Sequence, residues 1–322
     1  MAVPIPAGGG GVAMGDPGDA DADRGTEPGA APELSGVVPP TLTAFDAAGD
    51  LDTDATVAHA RFVVDGGADA VFPLGTNGEF ALLTAGERRR VVEAVAGGVD
   101  APVIAGVGAP STRETVEHAE HAAGAGVDGV VAVTPYYYPL DGDGAVAHYR
   151  AVAEAVDVPV YVYHIPSKTG NRLSLETLSR IADVDGVAGL KDSSKDVPWL
   201  AQAIDANPEL RFLVGSDSLL LPGLQLGCGG LVSAVANVFP GLVASLYDAH
   251  VDGDETEARR LQSTVFDVRT ALKRGPYMAG VKAALSLREP GFDVGGLRAP
   301  LRTMDDDGRE RLRTELADLG LI

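Results

Sequence analysis

From Gly36 onward the hydrophobic pattern alternates between two regimes. Short runs rich in Val, Ile, Tyr and Phe end in Gly, Thr or Pro, and longer Ala/Glu/Arg-rich stretches follow at helical spacing. The strand-like runs are GVVPPTLTAF (36–45), ADAVFPLG (68–75), PVIAGVG (102–108), DGVVAVTP (128–135), PVYVYHIP (159–166), GVAGLKDS (186–193), RFLVGSD (211–217) and GLVSAV (230–235). Between them lie helical stretches such as DATVAHARFVVDGG, TAGERRRVVEAVAGG and STRETVEHAEHAAGAG. Strands separated by helices imply right-handed crossovers and a parallel sheet. Eight such units predict an α/β fold closed into a (β/α)8 TIM barrel over residues 34–250. An open nucleotide-binding sheet would bring a G-x-G-x-x-G turn after its first strand, and GVVPPTLTAF is followed by none. The helical patterns DETEARRLQSTVFDVRTAL, PYMAGVKAALSL and DDDGRERLRTELADLG exceed what a barrel needs, so residues 251–322 are expected to form a C-terminal helical appendage.

Two stretches depart from this rhythm. Residues 1–33 are rich in Gly, Ala, Pro and Asp without apolar period and are expected to be a disordered tail. Ser218–Tyr247 carries no formal charge, but Pro222, Gly227, Gly229, Gly230, Asn237 and Pro240 interrupt it too often for a membrane helix, so it reads as barrel interior.

Lys and Arg number 25 against 46 Asp and Glu, a net charge of −21. Nucleic acid and anionic membrane surfaces both call for a basic face, so neither is an expected partner. Such charge suits strong self-solvation, as in a salty cytoplasm. The single cysteine, Cys228, excludes an intramolecular disulfide and a multi-cysteine metal site and reads as a small buried side chain. No signal-peptide pattern is visible, and a soluble, cytoplasmic protein is expected.

Barrel active sites form at the C-terminal ends of the strands. Those ends carry Thr76-Asn77-Gly78-Glu79, Thr134-Pro135-Tyr136-Tyr137-Tyr138-Pro139, Tyr163-His164-Ile165-Pro166, Lys191-Asp192-Ser193-Ser194 and Gly215-Ser216-Asp217. The set offers an amine, phenols, small hydroxyls and free amides, without a zinc-type Cys/His cluster or an evident magnesium site. Neither metal nor cofactor is expected. Of the lysines, Lys195, Lys273 and Lys282 read as solvated helix charges, whereas Lys191 ends an inner strand. Desolvation there lowers an amine's pKa and leaves part of it free to attack a ketone; the alternative is a structural ion pair with Asp192 or Asp217. Tyr163 could shuttle protons, with Thr76 and Tyr137 as relay partners, and the GTNGE turn suits a carboxylate. His118 and His121 share a helix face but lack a third ligand, and His164 reads as a hydrogen-bonded loop histidine.

As an ordered set, GTNGE, TPYYYP, YHIP, GLKDSS and GSDSLLLPGLQLGCGGLVSAVANV resemble the dihydrodipicolinate synthase / N-acetylneuraminate lyase family of pyruvate-dependent class I aldolases, from about Gly36 to the C-terminus. The resemblance implies Lys191 as Schiff-base residue, Tyr163 as catalytic phenol and Thr76 with Tyr137 in the proton relay. It further implies the amides of Thr76 and Asn77 on the pyruvyl carboxylate, with Gly215, Asp217 and Val232 lining the pocket. A homotetramer is implied too, in which Tyr136 or Tyr137 of a neighbouring subunit completes the relay. Asn77 stands where lysine-synthesising members have a second threonine, and Lys168 where they have an arginine. Arginine forks onto a carboxylate and lysine does not, which argues against semialdehyde recognition, and the TPYYYP run is more similar to the sugar-acid aldolases than to the synthases. The expected function is cleavage of 2-keto-3-deoxygluconate, or a related 2-keto-3-deoxy sugar acid, to pyruvate and an aldehyde such as glyceraldehyde. The alternatives are 4-hydroxy-tetrahydrodipicolinate (dihydrodipicolinate) synthase, a keto-deoxy sugar acid dehydratase and a non-catalytic keto-acid-binding paralogue.

Overall fold

The computed structural model describes residues 34–288 and 292–322; the expected disordered tail, 1–33, lies outside the described residues. In chain order come β1 (Gly36–Val37), β2 (Ala44–Phe45), β3 (Leu51–Asp52), α1 (Thr53–Asp65), α2 (Ala85–Ala96), β4 (Ile104–Gly106), α3 (Thr112–Gly124) and β5 (Gly129–Val133). Then follow α4 (Gly142–Ala153), β6 (Val160–His164), α5 (Pro166–Thr169), α6 (Leu175–Ala182), β7 (Val187–Asp192) and α7 (Val197–Ala206). β8 (Arg211–Val214), α8 (Leu220–Gln225), β9 (Gly230–Leu231) and α9 (Pro240–Val251) complete the wrap, and α10 (Glu255–Ala271), α11 (Tyr277–Leu287) and α12 (Asp306–Asp318) are the C-terminal helices.

The large sheet runs β1-β9-β8-β7-β6-β5-β4 and its pairs are parallel. The gap between β1 and β4 is closed by residues 69–73. Asp69 and Phe72 donate their amides to Val37 O and Pro39 O on one side, while Ile104 and Gly106 donate to Val71 O and Pro73 O on the other. The result is a (β/α)8 barrel with C-terminal helices. The strands are shorter than their apolar runs, and in two of them proline is part of the reason. GVVPPTLTAF breaks at Pro39-Pro40, which lack amide donors, and its second half pairs antiparallel with β3 instead of continuing the barrel. ADAVFPLG keeps a single bridge, Val71 to Val103, because Pro73 has no N–H and Leu74 turns left-handed at φ 59°.

Side chains alternate across each strand. Val131, Val133, Tyr161, Tyr163, Leu213 and Val232 point into one buried cluster with Phe72 and Ile104, the barrel interior. Val130, Ala132, Val160, Val162, Leu190, Phe212 and Val214 belong to the other, packed with the helices. Burial on both faces explains why the strand runs are continuously apolar. Many of the helices begin at polar caps. Asp52, Thr84, Ser111, Asp141, Ser174, Asp196, Asp254 and Asp305 each accept an amide hydrogen bond from the first turn they cap.

The uncharged stretch Ser218–Tyr247 divides into α8, β9 and the start of α9, and no helix among the described residues is long and apolar enough to cross a membrane. Cys228 is buried, and burial pushes its thiol up to about 12.

Candidate active site

Strand parity places Lys191. In β7 the inward positions are Gly189 and Lys191, in phase with Tyr161 and Tyr163 of β6, and Tyr163 and Lys191 are register partners. A Cβ on Gly189 would lie 2.2 Å from Arg211 O and 2.9 Å from the Tyr161 ring, so the glycine lets the β8 backbone and the aromatic ring approach. Lys191 is 4% exposed, and its Nζ lies 3.8 Å from the Tyr163 ring centroid and 4.7 Å from that of Phe72. Burial pulls its pKa down to about 7, opposed by the more distant Asp217 carboxylate. Cation–π contact with two rings contributes on the order of 1 kcal/mol each, too little to offset loss of hydration, so burial decides the sign.

Tyr163 is held from two sides. Its hydroxyl lies 3.2 Å from Thr76 Oγ1, and its ring packs edge-on against Phe72. Burial raises its pKa, while hydrogen bonds to Thr76 and Ser193 work in the opposite direction. Thr76 sits in the turn Gly75–Glu79, closed by Gly78 N to Gly75 O and Glu79 N to Thr76 O and pinned by Thr43 Oγ1 donating to Gly78 O. Asn77 is 7% exposed, and its Nδ2 finds no hydrogen-bond partner among the described residues.

Gly215 borders the lysine stem: a Cβ there would lie 2.9 Å from Lys191 Cε and 2.2 Å from Ser193 Oγ. Its carbonyl accepts the Ser193 hydroxyl, and Val232 belongs to the barrel-interior cluster. The Asp217 carboxylate is occupied by Ser233 Oγ, Val235 N and the Tyr277 hydroxyl of α11. Asp217 therefore acts on Lys191 by charge at a distance; its oxygens are taken by protein donors.

Beside Thr76 opens a cleft of about 270 Å³, lined by Phe80, Leu82, Val133, Tyr136, Ile165, Lys168, Met278 and Leu301. The walls are mainly apolar, and Lys168, exposed on α5, brings a positive charge to them. Tyr136 is half-buried against Phe80 at 6.3 Å. Tyr137, in contrast, is 83% exposed with a left-handed backbone (φ 82°), so within one chain it stands away from Tyr163.

The structure accounts for His164, whose Nδ1 donates to Asp192 Oδ1 at 2.9 Å while Nε2 accepts from Leu173 N. It is a buried strut at the end of β6, with its ring tilted against Trp199 at 4.3 Å. His118 and His121 face Glu114 and Glu93. Lys195 and Lys273 are exposed, as expected of solvated charges, but Lys282 corrects that reading. It is 5% exposed, and its Nζ pairs with Glu79 Oε1 at 2.9 Å. Sequence reasoning also overlooked Phe72 beside the amine and Ser193 beside Tyr163 and Gly215. Inward parity could have flagged Phe72; Ser193 adjoins Lys191 in the GLKDSS run.

The dihydrodipicolinate synthetase family model matches residues 33–319. An uncharacterized DapA-like lyase of Halobacterium salinarum is 69% identical over 291 residues, covering 90% of this chain and 95% of the relative. A 4-hydroxy-tetrahydrodipicolinate synthase of Natronomonas pharaonis is 36% identical, covering 89% and 98%. Among solved structures, YagE of E. coli K12, a dihydrodipicolinic acid synthase family protein in complex with pyruvate, superposes with a TM-score of 0.86 at 31% identity over 90% of this chain and 99% of its own. KD(P)GA from T. tenax does so at 0.82 and 26%, covering 89% and 99%. The chain is a lyase-type member of the dihydrodipicolinate synthetase family of class I aldolases.

Proposed function

We propose that the protein is a Schiff-base aldolase that cleaves a 2-keto-3-deoxy sugar acid, 2-keto-3-deoxygluconate or a close relative, to pyruvate and an aldehyde. The observation that carries this is the amine of Lys191, buried over Tyr163 with its pKa pulled to about 7. At pH 7 a lysine of ordinary pKa is neutral in on the order of one molecule in three thousand; at this pKa about half are.

The steps follow from the placement. Neutral Nζ attacks the C2 ketone, and loss of water gives an iminium. Tyr163 takes the C4 hydroxyl proton, with Thr76 as its relay partner at 3.2 Å. The C3–C4 bond breaks, its electrons flow toward the cationic nitrogen, and the aldehyde leaves. Protonation of the resulting enamine at C3 and hydrolysis release pyruvate and restore the amine. Thr76 and Asn77 hold the carboxylate, fixing C2 beside the amine. In a homotetramer, Tyr137, exposed in the single chain, would complete a neighbour's relay.

The second reading, condensation of pyruvate with aspartate semialdehyde, is favoured by the names of several relatives. Lys168 at the cleft weighs against it, since a single ammonium cannot fork onto the second carboxylate. Pyruvate release from 2-keto-3-deoxygluconate, measured beside condensation of pyruvate with aspartate semialdehyde, separates the two. Turnover of the sugar acid alone is expected; condensation alone overturns the sugar-acid reading.

A further inference from the structure

Glu79 and Lys282 form a buried ion pair between the turn that carries Thr76 and the C-terminal helix α11. The Glu79 side chain is 0% exposed and that of Lys282 5%. Lys282 Nζ also donates to Thr43 O at 2.8 Å and Gly296 O at 2.7 Å, and Arg298 N donates to Glu79 Oε2 at 2.9 Å. Thr43 returns to the same turn through its hydroxyl, 2.7 Å from Gly78 O. Glu79 itself has a left-handed backbone, φ 54°, which costs a residue with a Cβ and persists only where its surroundings impose it. A buried ion pair is a poor source of net stability, because desolvation consumes most of the attraction. An apolar pair could fill this space, whereas an ion pair at Oε1 together with the Arg298 amide on Oε2 fixes the turn's position.

We propose that Glu79, Lys282 and Thr43 are positioning residues for the keto-acid site. They lock the turn Gly75–Glu79 against the C-terminal helices, so that Thr76 meets Tyr163 and Asn77 meets the substrate carboxylate. The C-terminal helices thereby become part of the apparatus that binds the keto acid. The proposal rests on the roles given above to Lys191, Tyr163 and Thr76.

The test is the double variant Glu79→Gln/Lys282→Met, which removes both charges and roughly keeps both volumes. Three quantities are compared with wild type: thermal midpoint, the pyruvate concentration that half-saturates borohydride trapping on Lys191, and kcat for cleavage. The folded double variant is expected to need about tenfold more pyruvate and to lose about tenfold in kcat, while saturating pyruvate still modifies Lys191. Kinetic values within about twofold of wild type in a folded double variant overturn the proposal. So does a lowered thermal midpoint with unchanged kinetics, which would mark a merely structural pair. If the double variant does not fold, Thr43→Val, which loses the hydroxyl bonded to Gly78 O, is judged on the same two kinetic quantities by the same criteria. Wild-type protein in which pyruvate and borohydride leave Lys191 unmodified defeats the functional reading and this proposal with it; failure in the variants alone defeats only this proposal.

Discussion

The side-chain nitrogen of Lys191 stands 3.8 Å from the centre of the Tyr163 ring, and the two residues are register partners across β6 and β7. Lys282, the other buried lysine discussed above, shows what this arrangement omits. Lys282 is 2.9 Å from a carboxylate and donates to two carbonyls, so although burial lowers its pKa, Glu79 supports the charge. Around Lys191 the near neighbours are aromatic faces and a glycine, and the carboxylate that favours its charge, Asp217, is tied to three protein donors. Lys282 has a carboxylate at ion-pair distance, whereas Lys191 faces aromatic rings.

Activity should follow that proton. Attack on the ketone requires the neutral amine, and the folded pKa of Lys191 is about 7 against an ordinary 10.5. The rate of pyruvate adduct formation should therefore rise as pH passes through about 7 and level off above it. A limb near 10 instead, measured by single-turnover trapping, would show an ordinary lysine.

The same shift bears on stability. With the folded pKa below the unfolded one, the unfolded chain binds more protons between about 7 and 10.5, so this residue's contribution to stability rises with pH across that window. Below pH 7 the cost of a buried ammonium is borne in full. Lys191→Met is therefore expected to be more stable than wild type at pH 6, with the advantage shrinking toward pH 10. Denaturant unfolding at both pH values checks this, and a less stable variant at pH 6 contradicts it.

Tyr163→Phe keeps the ring under the amine and removes the hydroxyl that bonds Thr76. Cleavage should fall by about a hundredfold to ten thousandfold, the usual worth of a positioned acid–base group. Pyruvate should still be trapped on Lys191. Equal loss of trapping and cleavage would mean that the phenol serves the amine instead of the C4 hydroxyl.

Gly215→Ala tests the lysine stem. The added Cβ would lie 2.9 Å from Lys191 Cε and 2.2 Å from Ser193 Oγ, so both must give. A displacement on this scale is expected to lower adduct formation by about a hundredfold, with the far-ultraviolet circular dichroism of the barrel retained. Wild-type adduct formation would show that the stem has slack.

Much of this was legible in the chain because barrel physics writes directly into sequence. Eight apolar runs, each ending in small or polar residues, implied the topology, and Lys191 and Tyr163 both fell at the ends of inner strands. What stayed hidden depends on contacts between distant segments. Pro39 and Pro40 were visible, yet only the fold reveals that the run splits there and that Thr41–Phe45 turns to pair elsewhere. Lys282 lies on α11 among the buried Val281, Ala283, Ala284 and Leu285, and its partner is some two hundred residues earlier in the chain. No spacing rule links Lys282 to Glu79. Asp217 presented itself as a pocket carboxylate because it follows a strand, whereas Tyr277, sixty residues on, occupies it.

The most direct test incubates the protein with pyruvate and sodium borohydride and maps the modified residue by peptide mass spectrometry. One reduced pyruvyl adduct per chain is expected, on Lys191, absent in Lys191→Ala. An unmodified Lys191, or an adduct on another lysine, would contradict the Schiff-base mechanism.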